Sequence, residues 1–232
     1  MLIRKRCIAV TLLLVMQFSA NSELVRQTAL LEVGSFHGDE VPLNEPKDWL
    51  GVFCKQLVCD ARHTTIKTAR VHDEVVDEDT KANTGTSVSV SSQEQPLFLV
   101  RGIAPTSRSI PTVFQGEKNM VAGDLLPIGF SGANYELRVD GKKMEDEPLP
   151  KGSRLIFSNG STMQEVFSLP EGGNDPYITV LWVGDIDGDG KPDLLVITSW
   201  HYNVSHKVLW LSSLAKPGQL VGLAAIFETT GC

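Results

Sequence analysis

The residues with the most distinctive chemistry lie together near the C-terminal end of the 232-residue chain, in Gly184-Asp185-Ile186-Asp187-Gly188-Asp189-Gly190-Lys191-Pro192-Asp193. Carboxylates recur at positions 1, 3, 5 and 9 of a nine-residue loop. Alternation lets a tightly curled loop turn several side-chain oxygens inward, and the glycines permit backbone angles that other residues resist. Four carboxylates around one point repel strongly unless a cation neutralises them. A hard divalent ion of the calcium type takes ~6–8 oxygens at such a site. Asp185, Asp187, Asp189 and Asp193 supply side-chain oxygens, the backbone carbonyl of Lys191 at position 7 is the natural fifth donor, and water completes the shell. An all-protein set of this many oxygens suits calcium better than magnesium.

An EF-hand shares Asp at positions 1, 3 and 5 and Gly at 6, but requires an acidic residue at position 12 and a helix on each side. Position 12 here is Val196, and the flanks Ile178–Val183 (ITVLWV) and Asp193–Thr198 (DLLVIT) are strand-like apolar runs. The stretch GDIDGDGKPDLLV instead resembles the calcium loop of FG-GAP/VCBS-type repeats, familiar from integrin α-subunit propellers and many secreted bacterial proteins. The resemblance covers residues 177–213. It implies a loop between two strands that binds calcium through the aspartates at 1, 3, 5 and 9 and the carbonyl at 7. Propellers repeat this unit, because repeat folds need several copies to bury their faces. Only one copy is present here, so the expectation is a single β domain with one calcium-clipped hairpin and no complete propeller.

Other constellations are weaker. His201 and His206 occur in HYNVSH, and His201 with Asn203 could serve an exported hydrolase whose cleft adjoins the calcium loop. The sequence contains no Gly-x-Ser-x-Gly elbow, HExxH or phosphate-binding loop. Nothing in the spacing selects a catalytic triad, so a binding or interaction module is favoured over an enzyme. An acidic run follows at Asp73, Glu74, Asp77, Glu78 and Asp79, with polar sequence to Gln95. Its irregular spacing and lack of a shaping glycine point to a solvated loop and not to a cation site.

The elements that position these residues are mostly strands and turns. Strands are expected over Thr64–Val71, Pro96–Ile103, Tyr135–Val139, Arg154–Ser158, Thr162–Phe167, Lys207–Ser212 and Leu220–Phe227. Asp140-Gly141 and Asn159-Gly160 are hairpin signals, and Pro217-Gly218 marks a further turn. Glu23–Val33 is the one stretch compatible with a short helix. Apolar residues become denser from Tyr177 onward, which predicts a sheet covered on both faces. The fold class is mainly β, an antiparallel meander or sandwich. A Pro-, Gly-, Ser- and Thr-rich stretch at 103–120 divides an N-terminal β-rich region, 23–110, from a C-terminal β domain, 111–232.

Residues 1–22 have the order of a secretory signal peptide: the cations Arg4, Lys5 and Arg6, an apolar run Cys7–Ala20 shorter than the ~20 residues of a spanning helix, then small residues. Cleavage after Ser22 removes those three cations and no anion, so the net charge moves from −7 to −10. Such acidity argues against nucleic acid as a partner and leaves calcium, with protein or carbohydrate as the classes a binding module serves. The expected location is secreted or periplasmic, with no membrane span after cleavage. In that oxidising setting Cys54 and Cys59, five residues apart, can close a hairpin disulfide, while Cys232 is left free, pairs with one of them, or links chains.

Overall fold

The computed structural model describes residues 28–79, 81–103 and 108–231. The signal-peptide segment and Cys232 lie outside the described residues. The first seven strands are β1 (Ala29–Leu31), β2 (Gly34–Phe36), β3 (Asp48–Lys55), β4 (Val58–Val71), β5 (Gly85–Val90), β6 (Phe98–Arg101) and β7 (Arg108–Ile110). They form one sheet in the order β1-β6-β3-β4-β5-β2, with β7 also on β4. The long strand β4 gives the sheet its curl, because residues from Val58 to Thr65 pair with β3 and those from Ile66 to Val71 pair with β5. Cys54 and Cys59 face each other across the β3–β4 hairpin and are joined by a disulfide, with Cα atoms 4.1 Å apart.

One residue after β7, the chain enters β8 (Thr112–Met120), which belongs to a different sheet. A four-stranded meander follows: β9 (Leu125–Phe130), β10 (Ala133–Asp140), β11 (Arg154–Ser158) and β12 (Met163–Ser168). The chain then returns through β13 (Tyr177–Gly184), β14 (Asp193–Ser199), β15 (Val204–Leu211), a 3-10 turn Ser212–Leu214, and β16 (Gly222–Thr230). These strands complete a five-stranded sheet in the order β16-β15-β14-β13-β8. Every pairing of these strands is antiparallel.

The five-stranded sheet is the middle layer. On β14, Leu194 and Val196 face the meander and meet Leu137, Leu155 and Phe157, while Leu195 faces the seven-stranded sheet and joins Trp49, Phe98 and Leu99. This is the period-2 alternation of a strand, with an apolar partner waiting on each side. Strand β13 breaks the alternation. A bulge between Val180 and Trp182 turns both Leu181 and Trp182 to the seven-stranded sheet, as an extra residue in a ladder does. Trp182 packs edge-on against Phe98, with centroids 5.7 Å apart. Burial of a side chain of this size contributes roughly 3 kcal/mol. Sheets stacked in this way do not make the radial blades of a propeller, and the fold is mainly β and antiparallel.

Three local expectations are corrected. The part of Glu23–Val33 that is described holds strand β1, paired with β6, so tertiary pairing overrides the weak helical pattern. The polar stretch up to Gln95 contains β5, whose Thr86 and Val88 are buried. Asp140-Gly141 does not make a tight hairpin, because residues 141–153 intervene before β11. Asn159-Gly160 does turn β11 into β12, with Asn159 Oδ1 accepting from the Thr162 N–H at 2.9 Å.

Candidate metal site

Antiparallel pairing brings four chain segments to one end of the middle sheet. Gly184, the last residue of β13, pairs with Asp193, the first of β14, and with Thr112 at the start of β8. Strand β15 runs back toward the same end, with Trp210 opposite Leu194. The aspartate loop, the 3-10 turn after β15 and the β7–β8 junction therefore converge there.

Inside the loop, Asp185 is buried and organises the backbone. Its Oδ1 accepts from the N–H groups of Gly188 (2.5 Å) and Asp189 (3.1 Å), and its Oδ2 from Gly190 (3.1 Å). Gly188 and Gly190 adopt φ of +79° and +83°, the left-handed region that glycine enters without strain. Asp193 has no exposed surface. Its Oδ2 accepts from Ile186 N–H at 2.8 Å, and its Oδ1 from the N–H and hydroxyl of Ser212 at 2.8 and 2.9 Å.

Asp185, Asp187 and Asp193 each bring a carboxylate oxygen within 4.8 Å of the other two. Two oxygens that share a calcium ion at ~2.4 Å can lie no farther apart than about 4.8 Å. Asp189 is turned differently: its Oδ1 accepts from the Lys191 N–H at 2.9 Å and lies 2.8 Å from the Ser212 hydroxyl, whose single hydrogen it shares with Asp193 Oδ1. Lys191 is exposed.

The electrostatics are those of a site short of positive charge. Burial, reinforced by the Asp187 charge, pushes the Asp193 carboxyl up to about 7, although the bonds from Ser212 and Ile186 oppose the rise. Asp187 is also raised, first by burial and then by the charges of Asp189 and Asp185, against a hydrogen bond from the Ser213 hydroxyl. Among the described residues no lysine or arginine forms an ion pair with these carboxylates. Each carboxylate oxygen can accept two hydrogen bonds or donate one lone pair to a cation. The donor set is oxygen throughout, which fits a hard divalent cation and not zinc. This cluster could hold a metal ion.

Three residues of the site escape sequence reasoning. Ser212 and Ser213 reach it from the 3-10 turn, the latter at 2.5 Å from Asp187 Oδ2. Arg108 reaches it from β7 and donates to the Ile186 carbonyl at 2.5 Å. No motif marks them, since serine and arginine are common and these are distant in sequence.

His201 and Asn203 are elsewhere. They contact each other at 2.5 Å, Nδ1 to Oδ1, beyond the end of β14 where Ser199 pairs with Tyr177. At a strand rise of ~3.3 Å that is about 26 Å along the chain from Asp193. His206 is engaged by Glu228 at 2.7 Å. His201 thus lies beyond the opposite end of β14 from the aspartate loop, since β14 opens at Asp193.

No curated protein and no solved structure matches the chain. Residues 179–208 match the FG-GAP repeat. That span runs from within β13, through the aspartate loop and β14, to within β15, so this chain carries an FG-GAP repeat in single copy.

Proposed function

We propose that the chain is an exported binding or interaction module whose fold is completed by a structural calcium ion. Asp185, Asp187 and Asp193 hold the ion with side-chain oxygens, Asp189 and the Lys191 carbonyl complete the protein donors, and the ion supplies the positive charge that the buried carboxylates lack. The observation that carries this reading is the convergence of three carboxylate oxygens within 4.8 Å around an Asp193 with no exposed surface. The residues themselves orient the ligands: Asp185 curls the backbone, and Ser212 holds Asp193 and Asp189. Residues 23–110 and 111–232 act as the two structural regions, with the loop in the second.

Export is supported by the disulfide, which persists in oxidising compartments, and by the basic-apolar-small order of residues 1–22. Among the described residues no helix is long and apolar enough to cross a membrane. A protein or carbohydrate partner fits an interaction module of this kind.

Thermal unfolding with calcium and with chelator tests the reading. An ion that binds only the folded chain stabilises it by about 2.7 kcal/mol at a hundredfold excess over Kd. For a domain of this size that corresponds to a rise in Tm of about 5–10 °C. Asp187→Ala abolishes the difference, and an unchanged wild-type Tm overturns the structural-calcium reading.

A further inference from the structure

The aspartate loop touches both the sheet it belongs to and the sheet packed against it. Ile186, the second loop residue, is buried in the same core as Trp49, Phe98 and Ile110. The amide of Asp185 donates to the carbonyl of Pro111, between β7 and β8, at 2.9 Å. Arg108 belongs to β7, which is paired with β4 in the seven-stranded sheet. Its Nη2 donates to the Ile186 carbonyl at 2.5 Å. The guanidinium lies so close over Gly188 that a Cβ at that position would meet Nη1 at 2.6 Å. Among the described residues, the hydrogen bond from Arg108 to the loop goes to a backbone carbonyl, whose position depends on how the loop curls around its carboxylates.

We propose that Arg108 is a positioning residue that couples the aspartate loop to the seven-stranded sheet, so that cation binding in the loop tightens the attachment of β7 and its neighbours. The inference rests on the calcium reading above. Four carboxylates without a cation repel and loosen the curl. A bound ion fixes the Ile186 carbonyl and the Gly188 backbone where the guanidinium docks. The coupling follows the contact from the loop through Arg108 to β7, and from β7 to Cys59–Ala61 of β4. By linkage it is reciprocal, so an attached β7 also favours the curled, cation-competent loop.

The experiment is hydrogen exchange on the full chain with calcium and with chelator, in wild type, Arg108→Ala and Arg108→Lys, alongside calorimetric titration with calcium. Wild type shows calcium-dependent slowing of exchange of at least tenfold both in the loop and in residues 108–112. In Arg108→Ala the loop is still protected by calcium, which binds about three- to tenfold more weakly, while slowing at 108–112 falls below threefold. Arg108→Lys, which keeps one donor for the Ile186 carbonyl, restores part of it. A merely structural arginine would raise exchange at 108–112 equally with and without calcium. Calcium binding without any change at 108–112 in wild type, or with the same change in Arg108→Ala, overturns the coupling alone. Absence of calcium binding by calorimetry overturns the coupling together with the reading beneath it.

Discussion

Two acid-rich segments of this molecule bury aspartates, and they do so with opposite electrostatic results. In the turn after β4, burial pushes Asp73 up. The hydrogen bond from His37 (2.8 Å) and the amides of Val75 and Val76 outweigh it, so its carboxyl is lowered. Asp77 is lowered first by the Thr84 hydroxyl, at 2.6 Å, against burial, and further by the amides of Asp73 and Thr84. In the loop after β13, the donors to Asp193 are comparable in number, yet its carboxyl rises to about 7 because burial is deeper and Asp187 adds a like charge. The first segment solves its charge internally and is a turn built from side-chain acceptors. The second retains an unneutralised demand. Acidic density is common to both segments; the balance of donors against like charges separates them.

Substituting one aspartate in each segment should break the comparison most clearly. In calcium, Asp193→Asn loses the ion and costs about 3 kcal/mol at a hundredfold excess over Kd, read by denaturant unfolding. In chelator at pH 8 the same change is neutral or stabilising, because it removes a buried like charge. Asp73→Asn instead lowers stability by the same amount under both conditions, because it removes a charged acceptor of the His37, Val75 and Val76 hydrogen bonds. Equal effects of calcium on both variants would erase the distinction.

The pH dependence sharpens it. The folded pKa of Asp193 lies above that of an unfolded aspartate near 3.9, so its stabilising contribution is complete below that value and is lost as pH rises through about 7. Asp73 and Asp77 are lowered, so their contribution is present above ~3.9 and lost as pH falls further. Chelated protein should thus have its highest Tm near pH 5 and lose stability toward pH 8, whereas calcium removes that alkaline loss. A flat profile between pH 5 and 8 in chelator contradicts the assignment of Asp193.

Smaller effects test the loop geometry. Gly188→Ala meets both a φ of +79° and the Arg108 guanidinium, and should cost about 2–3 kcal/mol. Gly190→Ala has the same backbone demand but open space, and should cost about 1 kcal/mol. Equal costs, measured by chemical unfolding, would remove Arg108 from the account. The smallest expected effect belongs to His201→Ala, which should leave the calcium Kd unchanged by titration.

Much of the molecule was legible before folding. The convergence of Asp185, Asp187 and Asp193 was legible because a curled nine-residue loop keeps its carboxylates within reach of one point, and the paired strands on either side are apolar runs. The Cys54–Cys59 bridge followed from a short hairpin spacing. The acidic run after Val71 is mostly exposed, as expected, but the burial of Asp73 and the half-burial of Asp77 were not legible, because their partners His37 and Thr84 carry no periodic signal. The helix expected at Glu23–Val33 failed where β6 offered an open edge for Ala29–Leu31 to pair with.

What the sequence by itself determined, then, is local: which side chains a curled loop can aim inward, where the chain turns, and which strands are apolar on both faces. These depend on atoms a few residues apart and on backbone preferences of single residues. The tertiary structure alone decided that Asp193 is wholly buried, that Ser212 and Arg108 close on the loop, and that His201 sits at the far end of β14. Those outcomes depend on antiparallel register and on the packing of one sheet against another. Contacts of that kind join residues about 20 to 80 positions apart through ordinary side chains, and no spacing rule in the chain encodes them.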